Sequence, residues 1–141
     1  MALVERGGRV RAFPLERVTT ANLKAAIDAH VSEAARLVTD ELPAYNRAVS
    51  DRQHDRVNHS DGEYVRGDVH VNSAEGFFAL LKRGVMGAFH HVSKGHLHRY
   101  CSEFEFRYDR RTMNDGERAA EIVLGAEGKR LTYKQPSGVG A

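Results

Sequence analysis

The chain has 141 residues, 41% of them apolar and 28% charged, and a formal net charge of +2. This length suits one domain with a hydrophobic core, and the composition is that of an ordinary globular protein. It excludes a membrane-spanning helix, which needs about 20 consecutive apolar residues, and a disulfide-bonded scaffold, because Cys101 stands alone.

The first ten residues lack the apolar stretch of a secretory signal, and the lone cysteine suits a reducing, cytoplasmic setting. Ala2 to Val4 and Val10 to Leu15 flank Gly7-Gly8, a two-residue turn signal, and predict a hairpin whose second strand ends near Pro14. Thr19-Thr20 offers an N-cap, and Leu23, Ala26, Ile27, His30, Val31 and Ala34 follow at helical spacing, so residues 20–34 read as an amphipathic helix. Leu37-Val38-Thr39 is a short, β-branched run ending at Asp40, the pattern of a buried strand. Pro43 and residues 44–49 suggest a short helix, Arg56 to His59 a weak strand, and Tyr64-Val65 a weaker one.

Ser73 to Arg83 predicts a helix, with Asn72 as its cap, Glu75 completing a capping box, and Gly84 and Gly87 ending it. Residues 94–107 predict another, capped by Ser93, with Leu97, Tyr100, Cys101, Phe104 and Tyr108 as its apolar stripe. Residues 117–124 suggest a short helix, and the tail 135–141 reads as disordered. The order β-β-α-β-α-β-α-α implies an α/β fold with a mixed sheet covered by helices. Between Lys82 and Arg111 seven Lys or Arg face three acids, a local excess of four positive charges, with four histidines in the same stretch. Such a stretch is either a solvated helix face or the footprint of an anionic partner.

The chemistry-bearing positions follow from this frame. Asp40 ends a strand, where open α/β sheets place ligands, although a turn-forming aspartate before Pro43 accounts for it as well. Glu75 lies 34 intervening residues further on, near a helix start, where capping is its plain role. Lys82 is seven residues beyond Glu75, close to two helical turns, so both project from one face. A strand-end aspartate, a 34-residue spacer, a helix-borne glutamate and a lysine seven residues later form the tail of a D…D(34–35)E…K/R pattern. Two divalent metals clamping a phosphodiester need carboxylate oxygens, and a nearby base holds the phosphate backbone. A histidine-metal site competes weakly: His96 and His98, two apart on a helix, point about 200° apart.

The residues also carry a resemblance. Val57 to Asn72, the continuation Ala74 to Gly84, and His90-His91-Val92-Ser93, His96-Leu97, Tyr100, Glu103-Phe104 and Phe106 to Arg111 resemble ISXO-like transposases of bacterial insertion sequences. Val38 to Glu41 and Tyr45 fit the family's second-aspartate strand, and the likeness runs to about residue 134. It implies a ribonuclease H-like domain over residues 1–134 that cuts and joins DNA with Mg²⁺ or Mn²⁺ in a two-metal site. Asp40 is then the second catalytic aspartate, Glu75 the third acid, with Asn72 a competing ligand, and Lys82 the basic residue that follows. Lys82, Arg83, Lys94, Arg107, Arg110 and Arg111 are the implied DNA contacts; His59 and His70 are polar neighbours of the site.

Two departures stand out. Asp109 occupies a position where the family pattern leads one to expect asparagine. No candidate for the family's first catalytic aspartate precedes Met1, and Glu5, at a hairpin turn, is a poor substitute. The zinc-ribbon-like and DNA-binding regions of a full transposase are not represented either. The expectation is therefore a C-terminal portion of a transposase, inactive alone, with a non-catalytic DNA-binding remnant as the alternative. Its partners would be transposon ends and target DNA in a homo-oligomeric complex at the bacterial nucleoid, with no membrane involved.

Overall fold

The computed structural model describes residues 1–58, 60, 65 and 67–129. The expected second weak strand at Tyr64-Val65, His59 and the tail 135–141 lie wholly or partly outside the described residues. Among the described residues no helix is long and apolar enough to cross a membrane. The chain divides into two compact units: Met1 with Leu15–Gly76, and Ala2–Pro14 with the chain from Phe77 onward.

Unit 1 holds helix α1 (Thr20–His30), strand β3 (Leu37–Thr39), helix α2 (Pro43–Ala48) and strand β4 (His54–Arg56). Thr19 caps α1 by accepting the Asn22 amide at 3.2 Å, and Leu23, Ala26 and Ile27 form its buried face. The helix stops four residues before the expected end. Just past its end Arg52 holds the chain, donating to Val31 O at 3.2 Å and Ser32 O at 2.8 Å. Strand β3 has the expected bounds and pairs in parallel with β4, Leu37 opposite His54 and Thr39 opposite Arg56. β4 begins two residues earlier than its sequence suggested, because its polar residues are held by the ladder rather than by an apolar pattern. Leu23, Ile27, Ala48, Val49, Val57 and Val69 make the buried interior. Arg36 ties the surface together, donating to Asp55 at 2.6 Å and Asp68 at 2.5 Å.

Unit 2 holds the hairpin β1 (Ala2–Val4) and β2 (Val10–Ala12), the π turn Val85–Phe89, a 3-10 turn (Lys94–His96), α4 (Leu97–Asp109) and α5 (Asp115–Ala126). Helix α3 (Asn72–Gly84) begins in unit 1 and continues into unit 2. The hairpin register centres on Gly7 rather than on a Gly7-Gly8 pair: Val4 faces Val10, the Glu5 amide donates to Arg9 O at 2.9 Å, and the Gly8 amide to Glu5 O at 3.1 Å. Gly7 takes φ +71, which a side chain disfavours. The core packs Val10, Ala12, Phe77, Cys101 and Phe104, with Phe78, Leu80, Leu81, Leu97 and Tyr108 against them.

Several expectations need correction. The strands form not one mixed sheet but an antiparallel pair and a parallel pair, one in each unit. Asn72 is the first helical residue and not the cap. The Glu75 amide donates to Val71 O at 3.0 Å, so Val71 occupies the cap position. Gly84 is the last residue of α3, as expected, but the chain keeps a helical path beyond it. The ring of Phe104 rests where a Cβ would stand, so glycine is there to admit the ring, and the helix runs on as the π turn to His90. Helix α5 is longer than expected, because Asn114 and Glu117 form a capping box at its start.

Hydrogen-bond geometry explains how α4 holds the hairpin. The Glu5–Arg9 bond makes that a hydrogen-bonded pair, so in the alternating ladder the amides of Val10 and Ala12 face away from β1. They meet α4 instead: Val10 N donates to Asp109 Oδ1 at 2.8 Å, and Ala12 N donates to Glu105 Oε1. Two carboxylates one helical turn apart thus satisfy two strand-edge donors. Asp109, the departure from the family pattern, is one of them.

Candidate functional site

Asp40 directly follows β3 and is exposed. The parallel ladder carries it there, and the Val57 amide extends the pairing by donating to Thr39 O at 3.0 Å. Asp40 Oδ1 accepts the Leu42 amide at 3.1 Å, a local turn that leads into α2 with Pro43 at its start. The turn role read from the sequence is therefore fulfilled, and it occupies one carboxylate oxygen. The Glu41 carboxylate accepts both the amide (3.1 Å) and the hydroxyl of Ser60.

Two neighbours of this strand end carry perturbed acidities. Burial and then the negative charge of Asp40 push the Tyr45 phenol up, so it stays protonated. His54 is held down chiefly by burial, with Arg56 adding to the effect and Asp55 opposing it. Its Nε2 lies 2.8 Å from Thr39 Oγ1, which also donates to Asp40 O at 2.9 Å. His54 went unnoticed in the sequence, where the strand was placed two residues late. His70 carries a buried Nδ1 without a hydrogen-bond partner.

Glu75 stands exposed in the first turn of α3, three residues after the exposed Asn72. Asp40, Asn72 and Glu75 all belong to unit 1. Their oxygens are the donor type that a hard divalent cation takes. In number they fall short, since the described residues contain no group of three or more His, Cys, Asp or Glu placed to hold a metal ion.

The cations divide into two sets. Arg107 is bound to Glu103 on its own helix at 2.7 Å, and Arg110 to Glu121 of α5 while stacking on Phe106 at 4.1 Å. Arg111 donates to Gly8 O at 3.3 Å and Tyr108 O at 2.8 Å, over the Tyr108 ring. Arg110 and Arg111 thus join the end of α4 to α5 and to the hairpin turn, while Arg107 is paired within α4. Lys82 and Arg83 in the last turn of α3, and Lys94 in the 3-10 turn, are exposed and have no acid partner among the described residues.

The class of the fold is mixed α/β, with small sheets and five α-helices among the described residues. The sequence narrows this further. A family model described as an ISXO2-like transposase domain matches residues 1–109, and the chain belongs to that family. It is 33% identical over 108 residues to a protein of Halobacterium salinarum described as an uncharacterized protein in transposable element ISH50. That match takes in 74% of this chain and 36% of the relative, so the chain spans about a third of that protein's length. No solved structure matches the chain.

Proposed function

We propose that the chain forms part of the catalytic domain of an insertion-sequence transposase, a ribonuclease H-like domain that cuts and joins DNA with divalent metal ions. The observation that carries this reading is a strand-end carboxylate, Asp40, and a helix-borne carboxylate, Glu75, within one compact unit of a transposase-family chain. Bound Mg²⁺ or Mn²⁺ would activate water and neutralise charge on the scissile phosphate. Asp40 and Glu75 would hold it, with Asn72 competing for the third-ligand role. Asp40 Oδ1 accepts one hydrogen bond, from the Leu42 amide, which leaves Oδ2 the less encumbered oxygen for a metal. Lys82 and Arg83, and beyond them Lys94, would hold backbone phosphates of transposon ends and target DNA. The arginines Arg107, Arg110 and Arg111 are weaker candidates for that role, being engaged elsewhere. Carboxylate–metal chemistry needs no nucleophilic side chain, which agrees with a buried Cys101 whose thiol burial pushes up.

Two carboxylates are too few to hold two cations in this mechanism. We therefore expect residues 1–134 to act as a partial domain, its site completed by a further carboxylate on a strand outside these residues. In the cell such a domain would work on the nucleoid in a homo-oligomeric DNA complex. The second reading, a DNA-binding module without catalysis, draws on the lack, among the described residues, of any group of three or more His, Cys, Asp or Glu placed to hold a metal ion.

The test has two arms. Mn²⁺ binding, followed by the loss of its free electron-spin signal, should fall by at least about tenfold in Asp40→Ala and in Glu75→Ala, since losing even an outer-shell partner of a metal ligand costs about 10–100-fold. Equal binding by both variants and the parent would reject the metal site. Strand cleavage and 3′-end joining on linear duplex DNA should be absent in the chain alone. Activity that disappears in both variants would instead mean that another residue completes the site. DNA binding without metal binding would favour the second reading.

A further inference from the structure

Between Glu75 and Glu103 the chain carries no carboxylate. Residues 76–102 hold Lys82, Arg83, Lys94 and Arg99, all exposed, together with four histidines. None of these four cations has an acid partner among the described residues. In the middle of this acid-free segment α3 gives way to the π turn Val85–Phe89.

The turn is anchored on one side and bare on the other. Phe89 meets Tyr100 edge-on at 4.7 Å and Phe104 at 6.5 Å, within the unit 2 core. Met86 is 75% exposed, more than any other large apolar side chain among the described residues. The turn ends at His90, whose φ of +58 is strained for a side chain, and the His91 amide donates to Phe89 O at 2.6 Å to close a three-residue γ turn. π turns and strained backbones gather at functional positions. Lys82 and Arg83 precede Met86 by four and three residues, so helical spacing puts both cations beside the methionine on one face.

A flexible thioether set among unpaired cations suits one kind of partner. Duplex DNA offers phosphates to the cations, and its base steps accept apolar wedges, methionine among them, where the duplex is bent or opened. We propose that Met86 is such a wedge, entering distorted DNA from the π turn while Lys82 and Arg83 hold the flanking phosphates. This rests on the DNA reading above and adds to it the residue that senses unstacked bases.

The test uses the full chain and a duplex carrying 2-aminopurine beside a mismatch, whose fluorescence rises when the base unstacks. Binding is followed separately by anisotropy over a range of salt concentrations. The parent chain and Met86→Leu should both raise the fluorescence. Met86→Ala and Met86→Gln should lose most of the rise while affinity for uniform duplex, which is set mainly by phosphate contacts, changes by less than about threefold. Lys82→Ala and Arg83→Ala should each lower affinity on every sequence and reduce the salt slope by about one. A full fluorescence rise in Met86→Ala, with binding intact, overturns the wedge and leaves the DNA reading standing. No DNA binding by the parent at low salt overturns both. If Met86→Ala instead breaks up a self-associated form in sedimentation and leaves the fluorescence unchanged, the surface contacts a second copy, and the wedge is wrong.

Discussion

The two units build their interiors from different materials. Unit 1 buries small and aliphatic side chains, Leu23, Ile27, Ala48, Val49 and Val57, and secures its surface with ion pairs. Arg52, whose side chain is only 4% exposed, binds Asp28 at 2.8 Å as well as the Val31 and Ser32 carbonyls just past α1, and holds the Asp28 carboxyl below its usual range. Unit 2 is aromatic. Phe77 meets Phe78 and Tyr108 edge-on at 5.8 and 5.7 Å, and two carboxylates of α4 close the edge of β2. The difference teaches where charge is at liberty. In unit 2 Arg107, Arg110 and Arg111 are engaged by groups of the unit itself, whereas Lys82, Arg83 and Lys94 of the same unit have no acid partner among the described residues.

The largest expected effect tests the aromatic core. Phe77 is fully buried, and Phe77→Ala should cost about 3–5 kcal/mol, the range for an aromatic removed from a packed interior. If the units melt separately, calorimetry of this variant should show one transition lowered and the other kept, while Leu23→Ala in unit 1 should do the reverse. A single transition lowered alike by both variants would mean that the two interiors unfold together.

Much of this was legible in advance. The β-branched run Leu37–Thr39 announced its strand, and the stripe of α4 announced Cys101 and Phe104 as core, because burial of one face leaves a periodic trace. Strand β4 left none: His54, Asp55 and Arg56 are held by backbone pairing with a strand fifteen or more residues away. The placement of the candidate residues was legible, since Asp40 directly follows β3 and Glu75 falls in the first turn of α3. Charge counting could not separate Arg107, Arg110 and Arg111 from Lys82, Arg83 and Lys94. The partners of the arginines include Glu121 and the Gly8 carbonyl, which only folding brings near.

The next effect down uses two glycines of the same helix, Gly76 counted with unit 1 and Gly84 with unit 2. In a helix interior Gly→Ala ordinarily stabilises by up to about 1 kcal/mol. Gly76 has open space around it, so Gly76→Ala should show that gain. At Gly84 the new methyl would meet the ring of Phe104, itself only 4% exposed and unable to withdraw. Overpacking of that kind costs about 1–3 kcal/mol, so the sign should reverse and Gly84→Ala should destabilise. Urea melts of the two variants decide it, and equal gains at both positions would mean that Phe104 does not sit on Gly84.

The smallest effect concerns the carboxylates on the hairpin edge. Asp109→Ala leaves the Val10 amide without its acceptor and should cost about 1 kcal/mol, the usual net worth of a hydrogen bond. Asp109→Asn keeps a carbonyl oxygen at the same place and should fall within about 0.5 kcal/mol of the parent. Asparagine is the residue that the resemblance to other transposases leads one to expect there, and its amide oxygen would offer Val10 N the same kind of acceptor without the charge. Amide hydrogen exchange gives the sharper readout. Val10 should lose protection in Asp109→Ala and keep it in Asp109→Asn, whereas Ala12, held by Glu105, should keep most of its protection in both. Loss of protection at Val10 in the asparagine variant would show that the negative charge, and not the acceptor, fastens β2 to α4.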